Sequence, residues 1–421
     1  MRALSQVFLT QILSPVLLPL LLTPALSAQR PATWRCAHVL AEDGVSWRDD
    51  VVVTTILDGV VSVQPAADAA GVDRDFGEAW MIPGLIDLHT HLLLRPYDER
   101  SWNDQVLHDS AELRVLRGAK YAERTLLAGF VAVRDLGTEG AGFADVALGA
   151  ALDELVARGP RIYPATRAIV LRGCYGPAPD DPKVIKGAQT VAGVDEIVAA
   201  VREQVAGGAL WIKVYADYRH GADGPVAPTF SLEELQALCA EAQRLERPVA
   251  AHATTDEGIR RAVLAGVRTI EHGAGASEAT LQLMREHSVV LCPCLAANEA
   301  IVEYAGRKGP IVSRLNAAKV GFQRALAAGV EVACGSDAGV FDHGDNAREL
   351  ELMVEYGMTP AQALRAATAT AAKVLGAGDL GTIRPGARCG LVVLGGDPLA
   401  DIRNLRKVRA VIREGDERAP R

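Results

Sequence analysis

The stretch Pro83-Gly84-Leu85-Ile86-Asp87-Leu88-His89-Thr90-His91 reads as an apolar strand ending in two histidines one residue apart. Side chains alternate along a strand, so His89 and His91 share a face. Two imidazoles at one strand end can share a metal ion, and they can equally form a satisfied polar pair. Working outward, short apolar runs occur at 82–88, 130–136, 161–169, 210–215, 248–253, 267–272, 289–295 and 330–335. Each leads into an Ala- and Leu-rich helical pattern. One of these opens with Ser231 as N-cap and Glu234 closing a capping box. Strands alternating with helices in this way predict a (β/α)8 TIM barrel over 82–375. A doubly wound open sheet is the rival, but no GxGxxG follows the first strand.

The flanks have a different texture. Residues 29–81 hold Val/Ile-rich runs punctuated by Asp58-Gly59, which is hairpin grammar. Residues 376–421 repeat it, with Leu391-Val392-Val393-Leu394 and Val408-Arg409-Ala410-Val411-Ile412. Short β segments at both chain ends satisfy their edges most economically by pairing with each other, as one composite β-sandwich domain. Before them, Arg2 is the only charge ahead of Arg30, and an apolar stretch leads to Pro24-Ala25-Leu26-Ser27-Ala28. This is the pattern of a signal peptide over 1–28, cleaved after Ser27 or Ala28, so the protein is expected to be secreted or periplasmic. An uncleaved membrane anchor is the alternative, and three prolines argue against such a helix. After cleavage no stable membrane span is expected.

Composition narrows the partners. The 421 residues carry 44 Lys+Arg against 52 Asp+Glu, a net charge of −8 with no basic run, so nucleic acid is not an expected partner. The seven cysteines are scattered and odd in number, which indicates neither a disulfide framework nor a structural zinc site.

Chemistry in a barrel collects at the C-terminal ends of the strands. His89, His91, Lys213, His252, His272 and Asp337 all fall there, at the ends of strands one, four, five, six and eight. Each alone has an ordinary structural reading: a lysine in an apolar strand can point outward to a carboxylate. The whole set is hard to explain as packing.

In that order, these six residues resemble the ligand set of the metal-dependent amidohydrolase superfamily, and the split β domain is also that family's habit. The resemblance covers the mature chain. It implies that Lys213 is carboxylated to N6-carboxylysine and bridges two divalent metal ions, zinc being the first choice. His89, His91 and Asp337 would hold one ion, His252 and His272 the other. A hydroxide bridging the metals would have its pKa pulled to about 7 or below. Asp337 would act as general base and hand the proton to the leaving nitrogen. The second metal would polarise the carbonyl. Mononuclear deaminases of the superfamily lack such a lysine. Glu257 belongs on the following helix, and Glu271, next to His272, is expected to face the opposite side.

Val133-Arg134-Asp135-Leu136-Gly137, Ile212-Lys213-Val214-Tyr215 and Gly335-Ser336-Asp337-Ala338-Gly339, with His343-Gly344 and Asn346, resemble the exported prolidase-like branch. That branch comprises Xaa-Pro dipeptidases and N-acyl amino acid hydrolases. The resemblance implies release of a C-terminal residue from a dipeptide or N-acyl amino acid, mycotoxin amides such as ochratoxin included. A substrate carboxylate needs donors. Arg134, Arg172, Tyr215, Tyr218, His343 and Arg348 are the candidates, with Tyr215 also a candidate oxyanion donor. Relatives often carry Gly-Gly-His at the end of strand three. Here Arg172-Gly173-Cys174-Tyr175-Gly176 stands instead, so Arg172 or Tyr175 would take over those contacts. The reading is a binuclear hydrolase of a small amide or dipeptide. Its rivals are a cyclic-amide hydrolase or deaminase, and a barrel scaffold without chemistry. A homo-oligomer is the default expectation.

Overall fold

The computed structural model describes residues 30–178, 181, 183–221, 224–308 and 311–419. The expected signal peptide and its cleavage site lie outside the described residues.

The two terminal segments do meet. Ala32–Leu40, Trp47–Ile56, Gly59–Pro65, Arg74–Asp75 and Trp80–Pro83 join Gly390–Leu394, Val408–Arg413 and Asp416–Arg418 in one hydrogen-bonded sheet. The seam is antiparallel, with Pro83 opposite Leu391 and Met81 opposite Val393. Strand alternation then sorts the side chains. Met81, Leu391 and Val393 enter a small core with Trp34, Val51, Val53 and Ile412, while Ile82, Val392 and Leu394 join the main core on the other face. A sheet covered on both faces explains the near-continuous apolar runs of its inner strands. The first hairpin turns one residue earlier than the Asp-Gly pair suggests. Ile56 pairs with Gly59, so Leu57 and Asp58 form the loop, with Leu57 at φ 50°.

The predicted first barrel strand splits in two. Trp80–Pro83 belongs to the terminal sheet and Leu85–Thr90 opens the barrel region. Gly84 separates them because a Cβ there would lie 2.3 Å from Val131 Cγ2. Leu85–Thr90, Phe130–Asp135 and Arg161–Pro164 form one parallel sheet. Gln189–Val191, Ile169–Leu171, Ile212–Tyr215, Val249–Ala253, Thr269–His272 and Val290–Cys292 form another. The run 161–169 therefore divides between two sheets, and 330–335 contributes single bridges rather than a strand. Hydrogen bonds cross both gaps between the sheets. Leu210 N donates to Pro164 O at 2.8 Å, Ala333 N to Leu291 O at 2.9 Å and Leu88 N to Cys334 O at 2.9 Å. Helices alternate with the strands, among them Ala111–Leu127, Val194–Ala206, Leu232–Arg244 and Asp256–Ala265. The Ser231–Glu234 capping box forms as read from the sequence. Among the described residues, no helix is long and apolar enough to cross a membrane.

One buried carboxylate fixes the last segment against the first. Asp87 accepts from Ser336 Oγ at 2.5 Å, Ser336 N at 3.0 Å and Asn346 Nδ2 at 2.8 Å. Asp337 N in turn donates to His89 O at 2.7 Å. This places Asp337 beside the two histidines of the opening stretch.

Candidate active site

His89 and His91 leave the end of Leu85–Thr90, and Asp337 meets both. Its Oδ1 lies 3.6 Å from His89 Nε2 and 3.3 Å from His91 Nε2. These three ligand atoms lie within 4.8 Å of one another, the spacing of a shared ion. His272 joins them through His89, ring centroids 5.6 Å apart, and His252 lies 4.6 Å from His272. Two of the residues sit on left-handed backbone, His272 at φ 72° and Asp337 at φ 64°. Non-glycine residues are held there only where the surroundings over-determine them.

The outer nitrogens are set by fixed partners. His91 Nδ1 donates to Gly137 O at 2.9 Å, which turns Nε2 toward Asp337. His89 Nδ1 donates to Glu271 Oε2 at 2.9 Å, and Arg134 donates to Glu271 Oε1 at 2.8 Å. Orientation by such partners is the habit of metal-ligating histidines. Lys213 is 1% exposed, yet among the described residues its Nζ has no hydrogen-bond partner, nor does His272 Nδ1. A buried ammonium without a partner is expensive. A carbamate on Lys213 shared between cations would remove that cost, so the donor set fits the metal centre that the sequence implies.

The charge balance agrees for three of the four imidazoles. Desolvation lowers Lys213 and takes His252 well below the ordinary imidazole value, with neighbouring His272 and Lys213 adding to the effect on His252. Desolvation, with Lys213 nearby, brings His89 down to about 4, and desolvation brings His272 down to about 3. Neutral imidazole is the ligating form. Burial also opposes charge on His91, but its bond to Asp337 outweighs this and raises it to about 9. Burial works against the Asp337 and Glu271 carboxylates too. His89 and His91 around the first, and Arg134 beside the second, hold both well below the usual range.

These groups floor a cavity of about 670 Å³. His89, His91, His252, His272, Asp337, Tyr215 and Tyr218 line it as expected. Tyr215 stacks on His252 at 4.6 Å, and Lys213 Nζ lies 5.4 Å from its ring centroid. The other candidate substrate contacts are elsewhere. Arg134 is fully buried, pairs with Glu271 and stacks on Trp211, so it orients a ligand's partner and does not reach the cavity. Arg172 is exposed and pairs with Glu196 at 2.5 Å. His343 is buried, donates to Leu94 O and stacks on Tyr121. Arg348 is held by Glu299 and Glu351. Glu271 also departs from expectation. It bonds His89 inside the site, because left-handed His272 breaks the alternation that would have turned the two apart.

The cavity contains groups the sequence reading passed over. Glu139 and Tyr97 line it, as do the two arginines Arg219 and Arg314. Cys294 Sγ lies 3.3 Å from His89 Nδ1 and within ligand spacing of His272 and Asp337. Glu139 had a usable signal, since it follows the end of a barrel strand. Arg314 had none, because a loop and a helix turn place it, with Asn298 accepting its Nε–H at 2.6 Å.

Known proteins resemble this chain over most of its length. Residues 80–418 match the Amidohydrolase family. An ochratoxinase of Aspergillus niger is 31% identical over 367 residues, covering 79% of this chain and 73% of that protein. The crystal structure of a Xaa-Pro dipeptidase with methionine in its active site superposes with a TM-score of 0.82 at 26% identity, over 93% of this chain and 100% of that one. A prolidase complexed with N-methylphosphonate-L-proline gives 0.82 at 28% identity, with the same coverage.

Proposed function

This chain belongs to the amidohydrolase family and is a C–N bond hydrolase, and from that premise we propose that it cleaves the amide bond of a dipeptide or N-acyl amino acid at a two-metal centre. The observation that carries the reading is Lys213: a buried amine with no hydrogen-bond partner among the described residues, 5.4 Å from the ring of Tyr215, which lines the cavity with four imidazoles and Asp337. The hydrogen bonds that cross both sheet gaps support an eight-stranded barrel as its frame.

His89, His91 and Asp337 would hold one divalent ion and His252 and His272 the other, with carboxylated Lys213 common to both. When bound, such ions supply an activated water and Lewis acidity at the scissile carbonyl. Asp337, fixed through its backbone to His89, takes the water's proton on its carboxylate and passes it to the departing nitrogen. The Tyr215 hydroxyl, 3.2 Å from that of Tyr175, donates to the carbonyl oxygen as charge develops there. Arg219 and Arg314 take the carboxylate of the released residue. The prolidase and ochratoxinase likenesses support a C-terminal residue as leaving group. We also infer export by the leader at 1–28.

Metal analysis of the purified protein tests the centre, with two divalent ions per chain expected. Lys213→Ala should lose both ions and all turnover in a screen of dipeptides and N-acyl amino acids. Full metal loading and activity in that variant overturns the reading.

A further inference from the structure

Glu139 takes no part in the chemistry above, yet it lines the same cavity. Its side chain is 3% exposed. One carboxylate oxygen, Oε2, accepts from Tyr175 OH at 2.9 Å and from Trp102 Nε1 at 3.0 Å. The other, Oε1, lies 3.8 Å from His91 Nδ1, whose hydrogen goes to Gly137 O. Arg114 donates to the Glu139 backbone carbonyl and not to its carboxylate. Among the described residues, no lysine or arginine forms an ion pair with this carboxylate. Apart from His91, this buried carboxylate has only neutral donors, so it lacks the hydrogen-bonded ion pair that such groups ordinarily have.

Aromatic faces surround the gap. Tyr175, Tyr215 and Tyr218 lie with ring centroids 4.8, 5.0 and 5.6 Å apart, and all three line the cavity. A carboxylate beside clustered tyrosine rings is the chemistry that recognises an ammonium group.

We propose that Glu139 with Tyr175, Tyr215 and Tyr218 forms a cation subsite that takes the substrate's ammonium group. This makes a dipeptide with a free amine, and not an N-acyl amino acid, the preferred substrate class. The inference rests on the amide-hydrolase reading and decides between its two substrate classes. Arg314 at the same cavity suits the carboxylate of such a zwitterion, while Arg219 lies over Tyr218, 5.6 Å from its ring centroid.

The test compares Leu-Phe with N-acetyl-Leu-Phe on the metal-loaded enzyme. A kcat/KM at least tenfold higher for Leu-Phe is expected, and Glu139→Gln should collapse the ratio chiefly through KM. N-acetyl-Lys-Phe separates the two sources of ammonium: turnover matching that of Leu-Phe assigns the subsite to a side-chain ammonium as well, and turnover matching that of N-acetyl-Leu-Phe assigns it to the α-ammonium. Equal kcat/KM for Leu-Phe and N-acetyl-Leu-Phe in the wild type overturns the subsite and leaves the hydrolase reading standing. Turnover of none of these peptides counts against the hydrolase reading. Calorimetry then decides the subsite on binding alone: leucinamide binding at least tenfold tighter than N-acetyl-leucinamide supports it, and equal binding overturns it.

Discussion

At the residue scale, the least expected side chain is Arg134. It is fully buried and donates to Leu88 O at 2.6 Å, Thr269 Oγ1 at 3.1 Å and Glu271 at 2.8 Å. Through Glu271 it sets the ring of His89. Arg134→Met leaves Glu271 as an unpaired buried charge, which costs about 3–5 kcal/mol of stability. Loss of the fixed His89 orientation should also weaken metal binding by about 10–100-fold. Thermal unfolding reads the first effect, and competition with a chelator the second. The six proposed ligands were legible in the sequence because each sits at the end of an apolar run, where a polar residue stands out. Glu271 and Cys294 were not. Left-handed backbone at His272 and Cys294 defeats the alternation rule that a sequence reading must use. Arg134 and His343 were misassigned because composition marks a cation or an imidazole but not the carboxylate or carbonyl that claims it.

At the scale of elements, helix Leu295–Tyr304 shows how the scaffold stores a proton-linked term. Its first backbone N–H groups, on Leu295 and Ala296, donate to Glu349 at 3.1 and 2.7 Å. Burial nevertheless pushes the Glu349 carboxyl up to about 8. An unfolded glutamate titrates near about 4.3, so the folded state holds this proton more tightly. The stabilisation is complete below about 4.3 and is lost as pH rises toward 8. The Tm of metal-free protein should therefore fall between pH 5 and about 8, and Glu349→Gln should flatten that fall. A variant with an unchanged pH profile would count against it. Element positions were legible to within a few residues where a strand is bounded by helix signals, as at Ile212–Tyr215 and Val249–Ala253. The breaks at Gly84 and within 161–169 were not. They arise from which sheet a strand joins, and that is decided by partners distant in sequence.

At the scale of the whole molecule, the terminal sheet is not an appendage. Val411 packs with Leu126 and Val131, and Arg413 donates to Gly159 O, so the C-terminal strand reaches the helices and loops of the barrel region. Removing residues 408–419 uncovers the edge of Gly390–Leu394 and forfeits the burial of Val411 and Ile412, each worth about 1.5–3 kcal/mol. The truncated chain should be insoluble or lack a cooperative unfolding transition, and a soluble variant with unchanged Tm would contradict this. The same seam has a consequence for how the chain is born. Its two halves stand at opposite ends of the sequence, Pro83 opposite Leu391, so the ladder has a very high contact order and closes only after the last strands have left the ribosome. The edge of Trp80–Pro83 that Gly390–Leu394 covers therefore waits unpaired while the roughly 300 residues between them are made.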